Sequence, residues 1–131
     1  MSDSGADVHI TELGKQQAYE TAKRLKFQGK IFDRIIVTPS IRTQETADII
    51  RRELGLENMI PEIHAELQER SAGQFSRMTL AEMQALDPSV THVNYFEKAL
   101  AFGAETEADF LQRVNTHIDA LEQKYPHERI L

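Results

Sequence analysis

One strand-to-helix transition most constrains how this chain can fold. A short run of β-branched residues, Ile35 to Val37, is typical of a strand that is buried on both faces, and Pro39 ends it because proline supplies no donor to a sheet ladder. Ser40 then stands where a helix cap is expected, and apolar residues follow it at three- and four-residue spacing. A buried strand that leads directly into an amphipathic helix predicts an α/β fold.

Arg42 falls in the first turn of that helix. A cation there opposes the helix dipole, whereas a bound anion would be attracted both by the free N–H groups and by the guanidinium. The position therefore predicts a binding site for a phosphate-sized anion. The alternative for a single arginine is a surface ion pair with a carboxylate, which is a common arrangement.

The sequence around Arg42 resembles a motif of the histidine phosphatase superfamily, which includes phosphoglycerate mutases and fructose-2,6-bisphosphatase-like enzymes. The family pattern is Ser-Pro-x-x-Arg-x-x-Gln-Thr-Ala, and residues 38–47 read Thr-Pro-Ser-Ile-Arg-Thr-Gln-Glu-Thr-Ala, with the glutamine one place early. Residues 10–18 are similar to the family's Leu-Thr-x-x-Gly-x-x-Gln-Ala, which begins its first long helix. The resemblance implies a three-layer α/β/α fold, phosphoglycerate mutase-like, with a mostly parallel sheet and helices on both faces.

The segment from Leu67 to Phe75 resembles the family's Leu-x-Glu-x-x-x-Gly-x-Trp or Phe. The resemblance implies that Glu69 is the proton donor, since the alkoxide leaving group of a phosphate ester must acquire a proton. The alternative is that Glu69 is an ordinary exposed glutamate beside Arg70. Where the family continues with Glu-Gly, this chain has Ser76-Arg77, so the substrate rim differs from the family pattern.

The nucleophile of the family is a histidine in an Arg-His-Gly motif, and a second histidine follows a later strand. Neither feature occurs in residues 1–131, so we expect the nucleophile, and both histidine-bearing ends of the domain, to be missing from this chain. None of the five histidines follows a buried strand in a glycine turn, and their spacings contain no metal motif. The resemblance implies no metal and no organic cofactor. The five are His9, His64, His92, His117 and His127.

Composition limits the number of domains, the binding partners and the location that this chain can have. The 131 residues suit a single domain, and 21 acidic against 15 basic residues give a net charge of −6, which argues against nucleic acid or an anionic membrane as a partner. The chain has no cysteine, which excludes disulfides. It also shows no signal peptide and no apolar run long enough to span a bilayer, so a cytoplasmic location is expected.

Other patterns predict the remaining elements. Met1 to Asp7 is polar and reads as a loop. Phe96, Leu100 and Phe102 are expected in the core. Helices are predicted after Thr11, Thr79 and Thr106, an edge strand at Met59 to Ile63, and the start of a further strand at Glu128 to Leu131.

Three functional interpretations follow. The first is a phosphomonoesterase or phosphomutase that acts on a phosphorylated small molecule through a phosphohistidine when the polypeptide is complete, and that is inactive as this truncated chain. The second is a pseudoenzyme or anion-binding module that keeps only Arg42, and the third is a structural domain without a ligand.

Without a central strand, Ile35 to Val37 and Ile130 would face unpaired backbone groups, which predicts a complementing segment or self-association.

Overall fold

The computed structural model describes residues 8–131, so the loop predicted for Met1 to Asp7 lies outside the described residues. Three short 3-10 helices occur at Ala65–Leu67, Gly73–Arg77 and Leu100–Phe102. Within the described part, no helix is long and apolar enough to cross a membrane. The main elements, in chain order, are α1 (Glu12–Phe27), β1 (Ile36–Val37), α2 (Ile41–Glu53), β2 (Glu62–Ile63), α3 (Leu80–Leu86), α4 (Tyr95–Ala99) and α5 (Glu107–Lys124).

Strand β1 has a parallel neighbour on each side. It pairs with β2, where Ile36 lies opposite Glu62, and the Glu62 N–H donates to the Ile35 carbonyl at 2.9 Å. On its other side, Arg34 forms a parallel bridge with Ile130, and the Ile36 N–H donates to a carbonyl of the same terminal segment at 3.0 Å. The prediction of a strand beginning near Ile130 is therefore confirmed.

The prediction that Ile35 to Val37 would face unpaired backbone groups is wrong, because Ile130 and its neighbours occupy the side of β1 that does not face β2. Within residues 8–131, the segment at Ile130 has β1 as its strand neighbour on one side and no second strand on the other. The open edge of the described sheet lies at Ile130 rather than at β1.

Side chains alternate across this sheet, and each face carries helices. Ile35 and Val37 point to one face, where they cluster with Ala47 of α2. Arg34 points to the other face, and its guanidinium carbon lies 3.7 Å from the ring centroid of Tyr125, directly after α5. Helix α1 packs against α2. The predicted three-layer α/β/α arrangement is thus confirmed.

A second apolar cluster joins α3 and α4 to the 3-10 helices. Phe75 is its largest buried member, and its ring stacks on Phe102 with the centroids 4.8 Å apart. Phe96 also packs against the cluster, so the core prediction is confirmed for both Phe96 and Phe102. It is wrong for Leu100, which is 45% exposed. Leu100 begins a 3-10 helix, whose three-residue turn directs Ala99 and Phe102 inward and Leu100 outward.

The predicted helix starts are supported by threonine caps. The Thr11 hydroxyl accepts a hydrogen bond from the Gly14 N–H at 3.0 Å, and the Thr106 hydroxyl accepts one from the Asp109 N–H at 3.0 Å. Thr79 and Glu82 form the full reciprocal capping box that the sequence predicts. Local sequence therefore determines where α1, α3 and α5 begin.

Gly73 allows two backbone segments to meet. It has a left-handed φ of +59°, and a Cβ atom there would lie 2.5 Å from both the Phe102 carbonyl oxygen and the Gly103 carbonyl carbon. Atoms that close must move apart, and the obstacle is backbone rather than a flexible side chain. Gly55 offers a contrast, because its φ is +71° and no heavy atom lies within 4 Å of a Cβ placed there.

These two glycines give a matched test of packing at this contact. Gly55→Ala is expected to lower the free energy of unfolding by about 1–2 kcal/mol, the cost of a left-handed alanine. Gly73→Ala carries the same cost and a backbone clash, so a loss of at least about 3 kcal/mol is expected. Urea unfolding of both variants measures the difference. Equal losses would contradict the close approach at Gly73.

Candidate active site

The predicted anion site lies where β1 passes into α2. Arg42 is exposed in the first turn of α2, five residues after Val37, the last residue of β1. Among residues 8–131, its guanidinium forms no ion pair and no hydrogen bond, so the surface ion pair that was the alternative is absent from the described residues. The side chain projects beside a cavity of about 310 Å³ with mainly apolar walls from β1 and α2.

Ser40 precedes α2, but its hydroxyl does not cap the helix as the sequence predicts. The residue is only 6% exposed, and its hydroxyl oxygen has no hydrogen-bond partner in the described chain. Thr43 secures the turn instead, because its hydroxyl donates to the Ser40 carbonyl at 2.8 Å and pairs with the Thr38 hydroxyl at 2.8 Å. The helix start therefore lacks a side-chain cap, and such a terminus attracts anions.

Glu69 lies in the loop between two of the 3-10 helices and is exposed. It lines a separate cavity of about 360 Å³, together with Arg70 and Tyr95. Leu67, two residues earlier, lines the cavity beside Arg42. The described structure thus brings the Glu69 loop to the Arg42 cavity without placing the two side chains in one cavity.

Arg113 of α5 anchors the loop that carries Glu69. One of its terminal nitrogens donates to the Glu66 carbonyl at 2.6 Å and to the Gln68 carbonyl at 3.1 Å. The same guanidinium makes two hydrogen bonds to the Glu105 carboxylate, at 2.8 Å and 2.9 Å. These bonds lower the pKa of Glu105 to about 2 and raise the pKa of Arg113.

Glu105 also binds the far end of the loop. Its backbone N–H donates to the Ser71 carbonyl at 2.9 Å, and its carbonyl accepts a hydrogen bond from Arg70 at 2.9 Å. Glu105 and Arg113, which also pair with each other, therefore hold the loop on both sides of Glu69. Sequence analysis did not identify this pair, because residues eight positions apart share no helical spacing that would signal a contact.

Two histidines meet on the α5 face of the sheet, although their spacing in sequence suggested no metal motif. His64 Nδ1 and His117 Nε2 are 2.7 Å apart, and a carboxylate oxygen of Glu66 lies 4.0 Å from the latter. These three residues could together hold a metal ion. The contact between His64 and His117 could not be recognised in the sequence, because 53 residues separate the two imidazoles.

Glu45, which stands where the family motif has glutamine, contacts another histidine. The Glu45 carboxylate lies 2.6 Å from His9 Nδ1 and accepts the Ile10 N–H at 2.7 Å. The hydrogen bond from His9, followed by that from Ile10, lowers the pKa of Glu45. Glu45 thus connects α2 to the segment that precedes α1.

Comparison with known proteins decides the family. Residues 2–131 match the profile of the "Histidine phosphatase superfamily (branch 1)". The chain belongs to this superfamily. The fold agrees, since a phosphoglycerate mutase structure from Bacillus anthracis str. Sterne superimposes with a TM-score of 0.75 at 21% identity, over 96% of this chain and 63% of that one.

Curated members of the superfamily share shorter segments with this chain. A 2,3-bisphosphoglycerate-dependent phosphoglycerate mutase from Bradyrhizobium diazoefficiens is 37% identical over 70 residues, which are 53% of this chain and 34% of that protein. The mitochondrial serine/threonine-protein phosphatase Pgam5 of Drosophila ananassae is 43% identical over 54 residues, which are 41% of this chain and 19% of that protein. The chain matches about a fifth to a third of these relatives' length.

The ion pair between Glu105 and Arg113 makes stability depend on pH. The folded-state pKa of Glu105, about 2, lies below its ordinary value of 4.5, so its stabilisation is present above pH 4.5 and is lost as the pH falls toward 2. At pH 7, Glu105→Gln is expected to lower the free energy of unfolding by about 1–3 kcal/mol. The difference from wild type should shrink as the pH falls.

Urea unfolding at a series of pH values measures this difference. Glu122→Gln is the control, because Glu122 is an exposed residue of α5 that takes part in no ion pair within residues 8–131. The free energy of unfolding of Glu122→Gln should differ little from that of the wild type at every pH. If Glu105→Gln were less stable than wild type by the same free energy down to the lowest pH, the stabilising role of the ionised Glu105 carboxylate would be contradicted.

Proposed function

We propose that this chain is the central part of a phosphomonoester hydrolase or phosphomutase that acts through a phosphohistidine on a phosphorylated small molecule. The observation that carries the proposal is the start of α2, where exposed Arg42 stands beside the buried, unpartnered Ser40 hydroxyl at the end of a parallel strand. Membership of the histidine phosphatase superfamily supports the reaction class. Phosphatase and mutase activities remain two forms of this proposal.

Arg42 binds the phosphoryl group in this proposal. During phosphoryl transfer, negative charge is spread over three equatorial oxygens, and fixed cations and N–H donors stabilise it. A guanidinium presents two parallel N–H groups to such oxygens. Because Arg42 has no carboxylate partner in the described chain, its charge is available to the anion.

Glu69 donates the proton to the leaving oxygen in this proposal. Its carboxylate is exposed, while the loop around it is fixed by hydrogen bonds from Arg113 to the Glu66 and Gln68 carbonyls. A proton donor needs a fixed position relative to the leaving group, and the ion pair of Glu105 with Arg113 supplies that fixed support. Arg113 and Glu105 are therefore positioning residues.

The nucleophile lies outside residues 1–131 in this proposal. His9 is bound to Glu45, and His64 contacts His117, so three of the histidines already have partners. His92 and His127 are exposed. The cytoplasmic location, the exclusion of nucleic acid and membrane partners, and self-association stay predictions.

Arg42→Ala tests the anion site. In the 131-residue chain, inorganic phosphate is expected to shift the backbone amide resonances of Ile41 to Thr43, because these N–H groups begin α2. Arg42→Ala should weaken binding at least about 10-fold, since it removes a charge-assisted pair of hydrogen bonds. Titration followed by two-dimensional NMR measures both quantities.

Arg24→Ala is the control for net charge, because Arg24 is an exposed arginine near the end of α1. That variant should retain phosphate binding. Phosphate shifts that persist unchanged in Arg42→Ala, with the fold intact by circular dichroism, would count against the site.

An activity assay tests the reaction. The 131-residue chain is expected to leave aryl phosphates unhydrolysed, whereas a polypeptide extended in frame by the two missing histidine-bearing segments should be active. In the active form, Glu69→Gln should lower kcat by about 10²–10⁴-fold on alkyl phosphates, and by less on an aryl phosphate whose leaving group needs no proton.

Glu97→Gln is the matched control, because Glu97 is an exposed carboxylate on α4. It should leave kcat unchanged. Activity in the unextended chain that disappears when one of its own five histidines is replaced would show that the nucleophile is misassigned.

A further inference from the structure

The imidazoles of His64 and His117 come together between β2 and α5. His64 directly follows β2, and His117 lies within α5. Their nearest nitrogens are 2.7 Å apart, and the rings meet edge to face with centroids 4.9 Å apart. Glu66 places a carboxylate beside them, and one donor atom from each of the three residues lies within 4.8 Å of the other two.

We propose that His64, Glu66 and His117 form a binding site for a divalent transition-metal ion, with Zn²⁺ as the best-suited ion. Zn²⁺ binds imidazole nitrogen and carboxylate oxygen, and two histidines with one carboxylate leave a fourth position for water. Mg²⁺ is a poor match, because it prefers oxygen ligands in octahedral geometry. The ligand atoms are His64 Nδ1, His117 Nε2 and a Glu66 carboxylate oxygen.

Tetrahedral coordination requires the two rings to turn, because their nearest nitrogens face each other at hydrogen-bond distance. Two nitrogens bound to one tetrahedral Zn²⁺ lie about 3.3 Å apart. The observed 2.7 Å between His64 and His117 must therefore widen by about 0.6 Å, which rotation of the two half-buried rings achieves. Glu66 is exposed, so its carboxylate, whose oxygen now lies 4.0 Å from His117 Nε2, is free to turn toward the ion.

The surroundings favour entry of a cation. Glu66 and His117 line an open cavity of about 480 Å³ along α5, so an ion reaches them from solvent. Asp109 adds a negative charge to this cavity. Among the described residues that line it, Arg113 is the one fixed cation, and its charge is paired with Glu105 at 2.8 Å.

Arg113 also supports the ligand set, because it donates to the Glu66 carbonyl at 2.6 Å and so fixes the backbone of one ligand. A bound ion would join the end of β2 to α5 across 53 residues of chain. Since the unfolded chain does not hold these ligands together, Zn²⁺ should stabilise the folded state and raise Tm.

The test uses the 131-residue chain without an affinity tag. Isothermal titration with Zn²⁺ should give one ion per chain, and Co²⁺ should give the visible absorption bands of a tetrahedral site. Zn²⁺ should raise Tm, EDTA should reverse the rise, and Mg²⁺ should have no effect. His117→Ala is expected to weaken Zn²⁺ binding at least about 100-fold, and Glu66→Gln about 10-fold.

His92→Ala and His127→Ala are the controls, because each removes an exposed histidine elsewhere. Both should bind Zn²⁺ as the wild type does. Glu66→Gln keeps the test decisive if His117→Ala loses its fold, since Glu66 is exposed. Unchanged Zn²⁺ affinity in Glu66→Gln and His64→Gln, or no saturable binding at millimolar Zn²⁺, would overturn the proposal. None of these measurements depends on phosphate-ester turnover.

Discussion

The guanidinium of Arg34 holds the three strand segments of the sheet together. It donates to Glu62 of β2 at 2.6 Å and to Glu128, just before the terminal strand segment, at 2.8 Å and 3.2 Å. It also stacks on Tyr125. Hydrogen bonding to Arg34 lowers the pKa of Glu62, and the two carboxylates raise the pKa of Arg34. A two-partner, half-buried arginine constrains geometry far more than an isolated surface pair does.

The position of α5 depends on contacts near both of its ends. Arg34 contacts Tyr125 at the carboxyl end, while Arg113 contacts Glu105 and the loop carbonyls nearer the amino end. These contacts bring α5 over the face of the sheet on which His64 lies. The loop that carries Glu69 and the pair of histidines are therefore organised by the same helix.

Local features of this fold were predictable because the responsible residues lie close together in sequence. The β-branched run, Pro39 and the helix start near Arg42 are adjacent, and threonine caps mark three further helices. Ser40 shows the limit of such reasoning, because its hydroxyl is buried without a partner while the Thr43 hydroxyl donates to the Ser40 carbonyl. Cap propensity alone does not reveal which of two nearby hydroxyls secures the turn.

Long-range features were not predictable, since each requires tertiary packing to form. The contact of His64 with His117 spans 53 residues, and the pairing of Arg34 with Glu128 spans 94. Neither contact follows a residue spacing that can be recognised in a sequence. The core prediction for Leu100 was wrong for a related reason, because the exposure of this residue follows from a 3-10 turn rather than from its hydrophobicity.

The contact at Gly73 has a consequence for protein engineering. A saturation library at position 73 should return almost only glycine, because any side chain meets the backbone at Gly103. Three and four residues later, Ser76 and Arg77 are exposed at the point where this chain departs from its superfamily's pattern. A library that alters the chemistry of this surface is therefore best built by randomising those two positions while residue 73 stays fixed, which keeps the backbone beneath them constant.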